Sequence, residues 1–114
     1  MQKYEKIWYF THLFVTLHHN SEKKMHQSDS IVIIPTYNEK ENIEKIIRAV
    51  FALEKVFHIL VIDDGSPDGT AAIVKVLIAN EFSDRLFILE RKGKLGLGTA
   101  YITGFKWALE RNYD

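Results

Sequence analysis

Short apolar runs alternate along this chain with stretches in which apolar residues recur at helical spacing. The runs cover residues 31–34, 57–62 and 85–89, and the first of them consists of β-branched side chains alone. Continuous apolar runs of this length are typical of strands that are buried on both faces. Strands that alternate with helices predict a parallel sheet with right-handed crossovers. The predicted fold class is therefore α/β, in β-α-β-α-β-α order.

The segments between these runs predict helices that lie on the sheet. The first helix is marked by a stripe of residues with helical spacing: Ile43, Ile46, Ile47, Val50 and Phe51. Asn38 is its predicted N-cap, because Glu41 follows three residues later as in a capping box. The second predicted helix begins near Thr70, and the glycine-rich residues 96–100 lead into the third.

Residues 1–29 differ from the rest and are predicted to be an extension or linker outside the domain, which would span residues 30–114. Residues 7–17 are apolar and rich in aromatic side chains, but the small residues of a signal-peptide cleavage site do not follow them. Two interpretations stay open. Residues 7–17 form a short amphipathic helix that packs on the domain or rests on a membrane surface, or residues 1–24 are a non-native appendage upstream of a start at Met25.

Composition narrows the class of protein further. The chain has 114 residues, of which 46% are hydrophobic and 26% charged, as in an ordinary single globular domain. The formal net charge is zero, so nothing favours nucleic acid as a partner. The absence of cysteine excludes disulfides and thiolate chemistry, and fits a cytoplasmic protein. No stretch approaches the roughly 20 apolar residues of a membrane-spanning helix.

Polar and glycine residues are concentrated after the ends of the predicted strands. They occupy residues 35–39, the acid pair at 63–64, a turn at 65–70 and a basic loop at 91–98. Open α/β sheets bind ligands outside the carboxyl ends of their strands. Carboxylates there accept hydrogen bonds from ribose and base, an aromatic ring or proline packs on the base, and cations or helix N-termini meet phosphates. This mixture of side chains suits a sugar nucleotide.

The motifs fit several well-known kinds of site less well than they fit a sugar-nucleotide site. Asp is common at turns, but two successive acids between an apolar run and a glycine turn favour a functional role. The segment at 96–98 is not a dinucleotide fingerprint, because Tyr101 occupies its last small position and the segment follows the third strand. There is no P-loop motif, and the histidines lack metal-ligand spacing. A phospho-acceptor receiver domain would carry its acid pair after the first strand.

Three motifs resemble those of the dolichol-phosphate (polyprenol-phosphate) mannosyltransferases in glycosyltransferase family 2. They are Pro-Thr-Tyr-Asn-Glu at 35–39, Asp-Asp-Gly-Ser-Pro-Asp-Gly-Thr at 63–70, and Arg-x-x-Lys-x-Gly-Leu-Gly-Thr-Ala-Tyr at 91–101. The first motif and the Asp-Asp-Gly-Ser core are widespread in the family. The Pro-Asp-Gly-Thr extension and the Gly-Leu-Gly-Thr-Ala-Tyr loop point to the polyprenol-phosphate branch. The resemblance covers residues 30–114.

The resemblance implies a Rossmann-like GT-A nucleotide-binding half that serves transfer of mannose from GDP-mannose to dolichyl or polyprenyl phosphate, with inversion. Five residues are then implied to bind the sugar nucleotide: Pro35, Tyr37, Glu39, Ile62 and Asp64. The first three contact the nucleotide, and the last two flank its base and ribose. Asp63 is a secondary binding candidate. Arg91 and Lys94 are secondary candidates that approach the diphosphate or order the loop. No residue is assigned a catalytic role.

The family's metal-binding Asp-x-Asp follows the next strand, and residues 30–114 lack it. The resemblance therefore implies a partial GT-A domain that holds half of a nucleotide site and is inactive alone. It implies Mg²⁺ or Mn²⁺ as cofactor of the full-length enzyme only. Work at the cytosolic face of a membrane would need an anchoring partner or domain, or residues 7–17. Another family 2 transferase with a different sugar nucleotide, and a non-catalytic nucleotide-binding module, stay open as alternatives.

Overall fold

The computed structural model describes residues 15–18, 30–93, 95–111 and 113. Its elements, in chain order, are β1 (Val15–His18), β2 (Ser30–Thr36), α1 (Ile43–Phe51), β3 (His58–Asp63), α2 (Thr70–Asn80), β4 (Leu86–Glu90) and α3 (Leu97–Glu110). From β2 onward, strands and helices alternate as predicted. Of the residues named in the sequence analysis, Met25 and Lys94 lie outside the described ranges, as do residues 1–14.

The strands form one sheet in the order β1-β2-β3-β4. β2 pairs with β3, and β3 with β4, in parallel, so that Thr36, Asp63 and Glu90 lie side by side. The carboxyl ends of the three strands therefore meet at one edge of the sheet, which we call the rim. The predicted α/β class and the predicted parallel sheet are confirmed.

An additional strand, β1, pairs antiparallel with β2, with Val15 opposite Ile33 and His18 opposite Ser30. The helix considered for residues 7–17 is therefore wrong for residues 15–17, the part of it that the structure describes. Without β1, the outer edge of β2 would present backbone donors and acceptors with no partner in the sheet, and β1 supplies those partners. Residues 15–18, predicted to lie outside the domain, thus extend the sheet.

Helices cover both faces of the sheet. Alternate residues of a strand point to opposite faces. On one face, α1 and α2 pack against Val32, Ile34, Ile59 and Val61. On the other face, α3 packs against Ile31, Ile33, Leu60 and Ile62. β3 is buried along its whole length, which explains its continuous apolar run. Among the described residues, no helix has both the length and the apolar character needed to cross a membrane.

Helix α1 begins later than predicted. Its N-cap is Asn42, which makes no side-chain capping hydrogen bond, and Asn38 instead has a left-handed backbone with φ 58°. The carbonyl of Glu39 accepts hydrogen bonds from the N–H groups of Asn42 and Ile43 at 3.0 and 2.8 Å. The predicted capping box at Asn38 and Glu41 is therefore wrong. The residues that precede α1 form a loop along the rim.

Close packing of α3 on the sheet depends on Gly104. A Cβ atom there would lie 2.8 Å from Ile33 Cγ2 and 3.0 Å from Ile62 Cδ1. We expect Gly104→Ala to lower the free energy of unfolding by about 1–3 kcal/mol, because the added methyl must displace these side chains. Gly98→Ala is the matched control on the same helix, since a Cβ there meets nothing within 4 Å. Urea denaturation compares the two, and equal effects would show that the close contact at Gly104 is unimportant.

Candidate functional site

The rim brings together loops that are distant in sequence. Pro35 lies beside Ile62 in the paired strands. Just beyond the strands, the Asp64 N–H donates to the Thr36 carbonyl at 3.1 Å, and the Arg91 N–H donates to the Asp63 carbonyl at 2.8 Å. The parallel ladder thus continues by one residue on each side of β3. This extension fixes the backbone from which Asp64 and Arg91 project.

The carboxylate of Asp63 links segments of the rim by hydrogen bonds. Asp63 is 1% exposed. Its carboxylate accepts hydrogen bonds from Thr36 Oγ1 at 2.7 Å, from the Ser66 N–H at 2.9 Å and from Ser66 Oγ at 2.6 Å. Hydrogen bonds to an ionised acceptor are short and strong. The side chain therefore joins β2 to the turn after β3, and almost none of it is accessible to a ligand.

The turn at residues 66–70 positions the loop after β2. The successive N–H groups of residues 38–40 donate to Ser66 Oγ, Thr70 Oγ1 and Asp68 Oδ2 at 2.8, 3.0 and 3.1 Å. Asp68 also accepts from the Thr70 N–H at 3.0 Å, at the start of α2. Partial desolvation opposes ionisation of Asp68, but hydrogen bonds from Thr70 and Lys40 lower its pKa below the ordinary value. The loop carrying Glu39 is therefore held by side chains.

Asp64 and Arg91 form an ion pair at the rim. Arg91 Nε donates to Asp64 Oδ1 at 2.7 Å, and Arg91 Nη2 donates to Asp64 Oδ2 at 3.0 Å. Both side chains are about nine-tenths buried. The Leu95 N–H donates to Asp64 Oδ2 as well, at 3.3 Å. The acid pair is thus divided, because Asp63 faces the turn while Asp64 faces the loop that follows β4.

Four of the five residues implied to bind substrate lie on this rim: Pro35, Tyr37, Glu39 and Asp64. Tyr37 is 37% exposed, and Pro35 and Glu39 are half-buried. The fifth, Ile62, is fully buried and packs under α3. The Ile62 side chain does not reach the surface in this structure, and its place beside the base stays a prediction.

Sequence analysis does not assign individual roles to several residues that organise the rim. The motifs indicate Ser66, Asp68 and Thr70 only as parts of a turn. An Asp two residues before a Thr at a helix start is a local signal that can identify the pair, since such side chains bond nearby backbone N–H groups. The pairing of Arg91 with Asp64 joins residues 27 positions apart and has no local signal.

The described residues do not fit a divalent metal ion. Within residues 15–18, 30–93, 95–111 and 113, no three His, Asp or Glu side chains are grouped so that they could hold one. The acid pair at 63–64 is engaged by other groups, Asp63 by hydroxyl and amide donors and Asp64 by a guanidinium. Hard cations need several oxygen ligands that are open to them.

Two curated proteins are similar to this chain in sequence. Polyprenol monophosphomannose synthase of Mycolicibacterium smegmatis is 49% identical over 85 residues, which are 75% of this chain and 32% of that protein. Undecaprenyl-phosphate mannosyltransferase of Micrococcus luteus is 43% identical over 84 residues, which are 74% of this chain and 34% of that protein. The chain therefore spans about a third of the length of these curated relatives.

A solved structure shares the fold. Mannosyltransferase PcManGT from Pyrobaculum calidifontis, in complex with GDP-Man and Mn²⁺, superposes with a TM-score of 0.62 at 25% identity. The match covers 68% of this chain and 23% of that one. Residues 31–112 match the model of the family described as glycosyl transferase family 2. Because that match covers most of the chain, the resemblance seen in the three motifs is confirmed, and the chain belongs to glycosyltransferase family 2.

Proposed function

We propose that this chain forms the nucleotide-binding part of a transferase that moves mannose from GDP-mannose to a dolichyl or other polyprenyl phosphate. The observation that carries the proposal is a rim on which the Asp64 N–H bonds the Thr36 carbonyl, just before the loop of Tyr37 and Glu39, in a chain 49% identical to a polyprenol monophosphomannose synthase. The name of the Micrococcus luteus relative supports the acceptor, and the Pyrobaculum calidifontis structure, whose ligand is GDP-Man, supports the donor.

Each rim residue has a chemical role in this proposal. The partly exposed ring of Tyr37 packs on the base, together with Pro35. The carboxylates of Asp64 and Glu39 accept hydrogen bonds from base N–H groups and ribose hydroxyls. The acceptor phosphate is already an anion, so the reaction needs no strong general base. Holding donor and acceptor in line then supplies much of the rate enhancement.

No step of the proposed reaction passes through a metal held by the described residues, because they fit none. The Mg²⁺ or Mn²⁺ that the resemblance implies is assigned to the full-length enzyme, where a divalent cation would stabilise the departing diphosphate. A polyprenyl phosphate resides in a membrane while GDP-mannose is water-soluble. We therefore place the reaction at the cytosolic face of a membrane, where a partner or a further domain provides the anchor.

Calorimetry with GDP, GMP and UDP tests the proposed function. We expect the wild-type chain to bind both guanine nucleotides more tightly than UDP. Asp64→Asn should weaken GDP binding by about tenfold or more, because it replaces a charged acceptor by a neutral one of similar size. Glu54→Gln is the matched control, since it removes an exposed carboxylate at the opposite end of the strands.

The possible outcomes separate the candidate functions. Tighter binding of UDP would replace GDP-mannose by another sugar nucleotide, within the same family. Failure of the folded chain to bind any of the three nucleotides would contradict the proposal. Circular dichroism of each variant verifies that the chain is folded before its affinity is compared.

A further inference from the structure

We infer that Arg91 is a positioning residue of the nucleoside site, which orients Asp64 and does not bind the donor diphosphate. The inference deepens the proposed function and rests on it. A guanidinium carries five N–H donors in a fixed planar arrangement and accepts no hydrogen bonds. The number of those donors already used within the chain therefore decides whether Arg91 is available to a phosphate.

All five donors of Arg91 have acceptors within the chain. Nε and Nη2 donate to the two carboxylate oxygens of Asp64 at 2.7 and 3.0 Å. Nη2 also donates to the Gly96 carbonyl at 3.4 Å. Nη1 donates to Thr99 Oγ1 at 3.2 Å and to Thr103 Oγ1 at 3.4 Å. A phosphate could bind Arg91 only by displacing one of these acceptors.

The same contacts leave Asp64 able to serve a ligand. Among the described residues, Oδ2 accepts hydrogen bonds from Arg91 and Leu95, whereas Oδ1 accepts one, from Arg91. A carboxylate oxygen can accept two hydrogen bonds, so Oδ1 retains a place for one further donor. The bidentate pair fixes the plane of the carboxylate and thus the direction of that place. A base N–H or a ribose hydroxyl is a donor that fits it.

Arg91 also joins three segments of the rim through a single charge. It lies directly after β4, pairs with the residue after β3, and reaches Thr99 and Thr103 in the first turns of α3. Lysine would keep the charge but could not make the two parallel hydrogen bonds or fill the remaining acceptors. Arg91→Lys therefore tests geometry while leaving the net charge unchanged.

The affinities of guanosine, GMP and GDP distinguish positioning from phosphate binding. If Arg91 acts through Asp64, Arg91→Lys should weaken all three ligands by the same factor, about tenfold. An arginine that binds phosphate would give a loss that grows from guanosine to GDP, and that result would overturn the inference. Lys92→Gln, at the exposed neighbour in the same loop, should leave guanosine affinity within about twofold.

A double-mutant cycle distinguishes positioning of Asp64 from general ordering of the loop. With Asp64→Asn already present, Arg91→Lys should add little further loss of guanosine affinity, because the residue it positions is already altered. Additive losses would overturn the inference.

The behaviour of the wild-type chain separates this inference from the proposed function. A wild-type chain that binds none of the three ligands would contradict the proposed function, and the inference with it. A wild-type chain that binds them, combined with ligand-dependent or additive losses at Arg91, would leave the proposed function standing and overturn the inference alone.

Discussion

Replacing Asp63 by alanine is expected to lower the free energy of unfolding by about 3 kcal/mol or more. The substitution leaves Thr36 Oγ1 and the N–H and hydroxyl of Ser66 without the acceptor that each uses now. Thr36 is itself 4% exposed, so water reaches its hydroxyl poorly. Domains of this size are stable by only about 5–15 kcal/mol, so the loss is a large part of the total.

Urea denaturation of Asp63→Ala, followed by circular dichroism, measures this loss. Asp84→Ala is the matched control, because Asp84 is exposed and its removal should change stability by no more than about 0.5 kcal/mol. Asp63→Asn should fall between them, since the amide keeps the size of the side chain but turns an NH₂ group toward a donor. If Asp63→Ala were no more harmful than Asp84→Ala, the buried carboxylate would contribute nothing net.

Substitution of Gly65 by alanine is expected to cost about 2–3 kcal/mol of stability and to weaken nucleotide binding. Gly65 has a φ of +74°, a left-handed conformation that disfavours a side chain. A Cβ there would also lie 3.0 Å from the Gly93 N and 3.4 Å from the Arg91 carbonyl oxygen. Because these are backbone atoms, the loop after β4 must move, and the Asp64–Arg91 pair moves with it.

Gly93→Ala isolates the first of these two costs, the backbone conformation. Gly93 has nearly the same φ, +72°, but a Cβ there meets nothing within 4 Å. It should therefore cost only the backbone penalty of about 1–2 kcal/mol and leave affinity almost unchanged. Thermal unfolding and GDP titration of both variants give the comparison. Indistinguishable results at the two glycines would mean that the approach of the two loops is unimportant.

Much of the fold could be predicted because its strands follow a simple rule. β2 and β3 are buried on both faces, so their sequences are uninterrupted apolar runs. Because these strands alternate with helices, few arrangements of the strands in the sheet are possible. β1 was not predictable, because a four-residue strand has no period of its own and forms only where β2 offers an edge. The start of α1 has no local signal, because the N–H groups of residues 38–40 bond to a turn that is distant in sequence.

Sequence motifs could predict which residues lie together at the rim, the candidate site, but not the contacts among them. Motifs identified the rim, and the parallel register brings Asp64 and the loop of Glu39 to the same edge. Asp63 and Asp64 have different roles because they have different partners. Asp63 bonds to Thr36 at the end of β2, and Asp64 bonds to Arg91 directly after β4. The burial of Ile62 could be predicted from the sequence. Alternate residues of a strand point to the same face, so Ile62 shares a face with Leu60.

The change of sheet face between α2 and α3 gives the rim a mechanical property. β4 ends at Glu90, and α3 begins at Leu97 on the face of the sheet opposite to α2. Only a short segment, which we call the tether, therefore connects β4 to α3. Arg91 ties that tether to Asp64 near its beginning, and the contacts to Thr99 and Thr103 tie it to the helix. A shift of α3 along the sheet would therefore be transmitted to the carboxylate at the rim, whereas the paired strands beneath would remain in place.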